Sequence, residues 1–326
     1  MLNCSIVIPT VELNSLTNKC IKICHNYYPN SKIFVICDRY NERLAEVINE
    51  NVIYFEVGLK TIAYKRNYAF SKSNSKYIAL IDSDAYPEKY WIENSIKYFE
   101  DNRDIAVIGG PNISPYEQTQ SESLVGLMQK SILITGLGYF KKSISKSRYC
   151  NNLPTCNLII KREYLSKIGL FNEEQYVGED RAFCHKVIKS GHKIFFAKDV
   201  VVFHKNRDLK LFLFQRISYG TGIVPNLKRN IKDSPMLLAP IAILVSYFIV
   251  FFTSKSVYFL PFTFIVLVHI ISCLVESIRV KEKIFELPIL FVLLAFYSVM
   301  PGVGMFLSLS KKFRGVNLYN IVYKNN

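Results

Sequence analysis

The feature that most constrains this chain is the uneven spread of its apolar residues. Up to about Asn230 polar and apolar runs alternate as in a globular protein, whereas Pro235 to Ser310 is mostly apolar, with charges confined to two short breaks. The chain has 326 residues, 50% of them hydrophobic, enough for one large domain and an appendage. The expected organisation is a soluble domain over 1–207, an amphipathic interfacial segment over 208–234, apolar helices over 235–310 and a basic tail over 311–326.

Three apolar spans make up the tail: Met236 to Thr253, Val257 to Val275 and Leu287 to Ser310. Each is long enough for about 30 Å of hydrocarbon, although Pro301, Gly302 and Gly304 interrupt the third. Neighbouring uncharged spans of this length are rare in soluble chains. Lys205, Arg207, Lys210, Arg216, Lys228, Arg229 and Lys232 precede the first span, and Arg279, Lys281 and Lys283 follow the second, which marks both sides as cytosolic. The last tail, with Lys311, Lys312 and Arg314, is basic too. A third segment that enters and returns at its Pro-Gly break keeps that tail inside; a full third crossing puts it outside. The sequence leaves this open. The expected location is the cell membrane, multi-pass, with the first domain in the cytosol.

The net charge of +15 admits nucleic acid, anionic lipid or a generally Lys-rich composition as causes. No nucleic-acid module signature is present, and the densest basic stretch lies just before the first span, where anionic headgroups attract it. A nucleic-acid partner is therefore not expected. None of the 8 cysteines sits in a C-x-x-C pair, and MLNCSIVIPT has no basic stretch followed by a long apolar core, so no secretory signal is expected. Reduced thiols in the cytosol are expected to be small buried hydrophobes.

Along the first region, strands are expected at Cys4–Thr10, Lys32–Asp38, Asn51–Val57, Lys76–Asp82, Ala106–Pro111 and Cys156–Arg162, with two short ones in Lys193–His204. Helices are expected at Leu16–Asn26, Glu42–Asn49, Ile62–Ser71, Pro87–Glu100, Tyr164–Ile168 and Glu179–Ser190. This alternation implies an α/β domain on a largely parallel sheet. Ligands of such sheets bind beyond the carboxyl ends of the strands, where Asp38 and Asp82 lie. The stretch Ser114 to Tyr149 shows no readable pattern.

The strongest local signal is LIDSDAYP, with Asp82 and Asp84 flanking Ser83 just past a buried strand. Burying carboxylates is costly unless a cation balances them, and hard oxygen ligands suit Mg²⁺ or Mn²⁺ bridging to phosphates. By itself the pair is more often a turn or a helix cap. A second acidic pair, Glu179-Asp180 after Gly178, is compatible with a helix N-terminus, where the dipole favours carboxylates.

The ordered series SIVIPT, VICD, YKRNYAF, LIDSDAYP, GGPN, LPTCNLIIKREYLSKIGLF, GED and VVVFH resembles the family 2 glycosyltransferases of the GT-A fold, over roughly the first 220 residues. The resemblance implies a Rossmann-like nucleotide-binding catalytic domain with a helical membrane tail, a nucleotide-sugar donor and a divalent cation, Mg²⁺ or Mn²⁺. It implies that Pro9 and Thr10 shape the loop under the nucleotide and that Asp38 hydrogen-bonds the base or ribose. It places Arg66 and Asn67 near the nucleotide; Lys65 departs from the Ala-Arg-Asn usual there. It implies that Asp82 contacts ribose and metal, that Asp84 binds the metal directly, and that His204 completes the metal site. Asp180, of the Glu179-Asp180 pair, is implied as general base. Gln215, Arg216 and Tyr219 loosely match a motif that contacts the diphosphate or acceptor in membrane-bound relatives, although no Trp follows Arg216. Trp91, the only Trp, reads as packing.

The expected activity is thus inverting transfer of a sugar, UDP-linked, to a hydroxyl of a lipid-linked or cell-envelope glycan at the membrane. Two alternatives remain open: transfer to polyprenyl phosphate, which needs no strong base, and a non-catalytic membrane scaffold with the same fold. A channel or transporter is disfavoured by the small number of spans.

Overall fold

A computed structural model describes residues 2–144, 146–175, 177–224, 235–252, 260–314 and 316. The chain divides into two compact units, one built from 1–116 and 140–205, the other from 117–139 and 206–326.

In the first unit the strands are β1 (Cys4–Pro9), β2 (Ile33–Cys37), β3 (Val52–Glu56), β4 (Tyr77–Ile81), β5 (Ala85–Pro87), β6 (Ile105–Gly109), β7 (Asn112–Ile113), β8 (Arg148–Tyr149), β9 (Asn157–Lys161), β10 (Lys193–Phe196) and β11 (Val202–His204). Eight of them form one sheet in the order β3-β2-β1-β4-β9-β6-β10-β8, and β5-β11-β7 form a second. The expected α/β architecture holds, with one refinement. Strand β9 runs antiparallel to both β4 and β6 in the middle of the sheet, so the sheet is mixed rather than purely parallel. Isoleucine- and valine-rich strands such as β1, β2 and β4 are buried throughout, as strands covered on both faces must be. Helix α1 (Ser15–Tyr27) packs Cys20, Ile21 and Cys24 into this core.

Three expected elements come out differently. The helix at Glu42–Asn49 is only a 3-10 turn, Glu42–Leu44, because Ala45 is extended and carries the chain on without a continuing helix, leaving Leu44 and Ile48 exposed. The helix expected from Pro87 begins at Trp91; Pro87 ends β5, and Tyr90 takes a left-handed conformation, φ 67°, to turn the chain into helix α3 (Trp91–Asp101). The patternless stretch contains helix α4 (Gln120–Gln129), which Thr119 and Glu122 close with a reciprocal capping box.

The second unit is helical. Besides α4 and α5 (Ile132–Thr135) it contains helices at Leu209–Ile223, Ala239–Phe252, Leu260–Val280 and Leu287–Leu307. Leu260–Val280 and the stretch Ile284–Leu307 are long and apolar enough to cross a membrane by length and composition. The first expected span is shorter: Ala239–Phe252 has 14 residues, preceded by a 3-10 turn at Pro235–Leu238. Its expected end at Thr253 and the expected start of the second span at Val257 lie outside the described residues, as do Lys228, Arg229 and Lys232. The third segment does not break at Pro301, Gly302 and Gly304; Leu287–Leu307 is one continuous helix. Those small residues serve packing instead. A Cβ on Gly304 would lie 1.9 Å from the Ile217 carbonyl oxygen, and one on Gly220 would lie 1.9 Å from that of Pro301. The expected amphipathic segment is thus, over Leu209–Ile223, a helix in backbone contact with Leu287–Leu307.

Candidate active site

Strand β4 ends at Ile81, and the turn that follows, closed by the Ala85 N–H on the Asp82 carbonyl at 3.1 Å, sets Asp82 and Asp84 at the strand's carboxyl end. Strand β5 then pairs antiparallel with β11, matching Ala85 to His204. That register brings the imidazole to the acidic pair: His204 Nε2 is 3.3 Å from Asp84 Oδ1 and 3.8 Å from Asp82 Oδ2. From the other side, the β4–β9 register matches Ile81 to Asn157, so Cys156 stands opposite Asp82. Single ligand atoms of Asp82, Cys156 and His204 all lie within 4.8 Å of one another. Ligands of one small divalent cation sit about 2.0–2.6 Å from it, and so within a few ångströms of each other. The donor set fits such a cation.

Behind this cluster lies Arg66, buried on helix α2 (Ile62–Lys72). Its Nη2 is 3.2 Å from Asp82 Oδ1, and its Nη1 is 3.1 Å from Glu179 Oε1. One guanidinium therefore ties together two acidic motifs that lie far apart in the sequence. Glu179 and Asp180 open the helix Glu179–Lys189, entered through Gly178 at φ 76°. Burial raises both carboxyls above their ordinary range. Asp180 raises Glu179 further while Arg66 opposes. For Asp180 the opposition comes first from the Arg181 N–H, which donates to Oδ1 at 2.7 Å, and then from Arg66 and Lys141. The Lys141 ammonium is itself pushed down by burial, and it donates to Asn152 Oδ1.

Of the residues expected around the nucleotide, Asp38 and Thr10 are brought together through Lys65. Asp38 follows β2, and its Oδ1 lies 2.7 Å from Lys65 Nζ and accepts the Lys60 N–H at 3.3 Å. Lys65 donates in addition to the Thr10 carbonyl. The lysine that departs from the family pattern is thus the counter-ion of Asp38 and the link to the Pro9-Thr10 loop. Asn67 is turned elsewhere. Its amide donates to the Phe171 carbonyl at 3.0 Å and Glu173 Oε1 at 2.8 Å, and its Oδ1 accepts the Phe171 N–H at 3.0 Å. It fastens the segment leading into the Glu179-Asp180 motif. Gln215, Arg216 and Tyr219 belong to the second unit. There Arg216 is buried, donating Nη1 to the Ile134 carbonyl at 2.6 Å and Nε to that of Tyr297 at 3.2 Å, whereas Tyr219 is exposed. Trp91 is buried, as read, and its Nε1 donates to Asn157 Oδ1 at 2.8 Å.

Sequence reasoning missed Cys156, Asn157, Lys141 and Glu173. For Cys156 a signal existed, since it precedes a strand whose pairing with β4 sets it beside Asp82. For Lys141 there was none, because it lies in the patternless stretch.

This mixed α/β sheet, with an Asp-x-Asp pair, a histidine and a second acidic pair at one edge, has the features of a glycosyltransferase. Residues 5–169 match Glycosyl transferase family 2, and the chain belongs to that family. Pre-mycofactocin glycosyltransferase of Mycobacterium tuberculosis is 21% identical over 179 residues, 54% of this chain and 37% of that protein. The chain thus spans little more than a third of that relative's length. Glycosyltransferase AglE of Haloferax volcanii is 22% identical over 231 residues, 67% of this chain and 72% of that protein. Among solved structures, the mannosyltransferase PcManGT of Pyrobaculum calidifontis, in complex with GDP-Man and Mn²⁺, superposes with a TM-score of 0.51 at 15% identity, over 99% of this chain and 86% of that one. That likeness supports the GT-A fold.

Proposed function

We propose that the protein is an inverting, membrane-anchored glycosyltransferase that moves a sugar from a nucleotide-sugar, UDP-linked, to a hydroxyl of a lipid-linked or cell-envelope glycan on the cytosolic side of the membrane. The observation that carries this reading is the convergence of Asp82, Asp84, His204, Glu179 and Asp180 about the buried guanidinium of Arg66. The pyrophosphate of the donor is an anion, and the GDP-Man and Mn²⁺ bound to PcManGT give a precedent for donor class and cation. Asp82, Asp84 and His204 would hold Mg²⁺ or Mn²⁺, which when bound neutralises charge on the departing diphosphate.

The chain's own side chains do the rest. Asp180 accepts the proton of the acceptor hydroxyl as that oxygen bonds to the anomeric carbon and the carbon–oxygen bond to the diphosphate breaks. Its raised carboxyl suits a base that must hold a proton transiently near neutral pH. Arg66 keeps Glu179 and Asp82 in register, so donor and base meet at one place. Asp38, held by Lys65, and the Pro9-Thr10 loop are positioned to line the nucleotide. Glu179 and Asn67 act as positioning residues. Arg216, whose guanidinium is spent on two backbone carbonyls of the second unit, is given no part in transfer.

Incubating membranes that contain the protein with labelled UDP- and GDP-sugars, with and without chelator, tests the reading. Transfer of label to lipid or polymer is expected, lost with chelator and in Asp84→Asn and Asp180→Asn while both variants stay folded. Near-normal turnover in either variant removes its residue's role. Activity retained by Asp180→Asn toward a polyprenyl phosphate, but lost in Asp84→Asn, moves the acceptor to the lipid phosphate itself. Absence of both transfer and donor hydrolysis leaves a scaffold.

A further inference from the structure

The cation cluster contains an atom that hard-oxygen chemistry does not call for. Cys156 is buried, and its thiol lies with the Asp82 carboxylate and the His204 ring inside a 4.8 Å group. Its position is built into the sheet. Asp82 follows Ile81 and Cys156 precedes Asn157 in an antiparallel pair, so the two side chains leave the same face side by side. The next residue fixes that backbone. Asn157 accepts from Trp91 Nε1 at 2.8 Å and donates to the carbonyls of Pro111 at 3.2 Å and Val200 at 2.8 Å. The backbone that carries the thiol is therefore anchored through the next residue by a buried hydrogen-bond network.

We propose that Cys156 is a sulfur ligand of the cation that Asp82, Asp84 and His204 hold, so that the site selects Mn²⁺ over Mg²⁺ and binds thiophilic Co²⁺ and Cd²⁺ more tightly still. The inference rests on the cation reading above and deepens it. Mg²⁺ demands oxygen ligands in near-ideal octahedral geometry, whereas a thiolate with an imidazole favours softer ions. On coordination the Sγ–H bond gives its proton to solvent and the sulfur lone pair bonds to the ion; no electron changes hands.

Cobalt gives a readout that does not depend on turnover. The full-length chain in detergent is titrated with Co²⁺, and absorption is followed through the near-ultraviolet and visible. A sulfur-to-cobalt charge-transfer band is expected, lost in Cys156→Ser and Cys156→Ala and kept in Cys150→Ser, which controls for the half-buried thiol elsewhere. Competition titrations should show Cd²⁺ affinity falling at least about tenfold in Cys156→Ser, with Mg²⁺ affinity changing less than about twofold. Melting curves of the three cysteine variants verify that they fold. Visible cobalt bands that vanish in Asp84→Asn, without a charge-transfer band in the unsubstituted protein, overturn the sulfur ligand and leave the cation site standing. A Cd²⁺-to-Mg²⁺ preference unchanged by Cys156→Ser overturns it equally. Failure of the folded protein to take up Co²⁺ at all overturns this inference and the cation reading together.

Discussion

Arg66 is the residue on which the two acidic motifs depend. Truncating one partner of a buried ion pair strands the others in a poor medium, so Arg66→Ala should cost about 3–5 kcal/mol in denaturant unfolding and abolish transfer. Arg66→Lys cannot reach both carboxylates through one point charge and should lose transfer with a smaller stability cost. Asp180 makes a prediction of opposite sign for stability. Its carboxyl is raised in the folded protein, so between the unfolded and folded values the folded state holds more protons, and stability falls as pH rises through that window. Above that window the buried, ionised carboxylate is a net cost. Asp180→Asn removes that cost, and its melting temperature at such pH should lie above that of the unsubstituted protein although its turnover is lost. The same raised value places the acid limb of kcat/KM at higher pH than an ordinary carboxylate would, with activity falling as pH drops through it; a profile flat to pH 4 would remove Asp180 as base. These residues were legible in unequal measure. Asp82 and Asp84 announce themselves by following an apolar strand. The partners of Lys65 and Asn67 did not, because a side chain's hydrogen bonds depend on which distant segment the fold delivers, here Asp38 and the Phe171–Glu173 stretch.

Elements were readable where burial imposes a period. The strands β1, β2, β4 and β6 and the helices α1 and α2 fall within a residue or two of expectation, since continuous apolar runs and capping residues such as Asn14 and Thr61 are local signals. Helix α4 was also signalled locally, by Thr119 three residues before Glu122, and went unread because no strong apolar stripe follows. The antiparallel course of β9 was not legible at all: a buried apolar run has the same composition in either direction. What pins that strand is close backbone approach. A Cβ on Gly109, on the neighbouring β6, would lie 2.2 Å from the Asn157 carbonyl oxygen. Gly109→Ala should therefore destabilise the first unit by about 1–3 kcal/mol, measured by urea unfolding, and weaken nucleotide binding by displacing Asn157. In the second unit the equivalent contact is between Gly220 and the Pro301–Met305 turn. Close helix contact through small residues is a common membrane solution. Gly220→Leu should lower the melting temperature in detergent, and Gly304→Leu should do the same, because either side chain forces the two helices apart. A mutant that melts with the unsubstituted protein would show that the contact carries no stability.

At the scale of the whole chain, what matters is the surface of the second unit. Phe264, Leu267, Ile271 and Leu274 on Leu260–Val280 and Val292, Phe296 and Phe306 on the last helix are exposed, an apolar display that water would penalise and lipid would not. Polar groups within the helices are satisfied internally: His269 accepts or donates at both ring nitrogens, to Tyr247 at 3.1 Å and Ser298 at 2.8 Å, joining three helices by side chains alone. Membrane residence predicts that the full chain stays in the pellet after alkaline carbonate washing. Leu267→Asp puts a charge mid-helix on the exposed side and should cost about 3 kcal/mol of insertion, releasing or aggregating the chain. Orientation is a separate question, and the loop between the two long helices answers it. Arg279, Lys281 and Lys283 make that loop basic, so the proposed arrangement keeps it in the cytosol with the sugar-transfer site. A cysteine introduced as Glu282→Cys, at an exposed position beside otherwise mostly buried thiols, should react with a membrane-impermeant maleimide only after cells are opened. Labelling in intact cells would place the loop outside; with one crossing between them, the stretch at Ala239–Phe252 would then face inward, and the donor pool and the basic loop would lie on opposite sides of the bilayer.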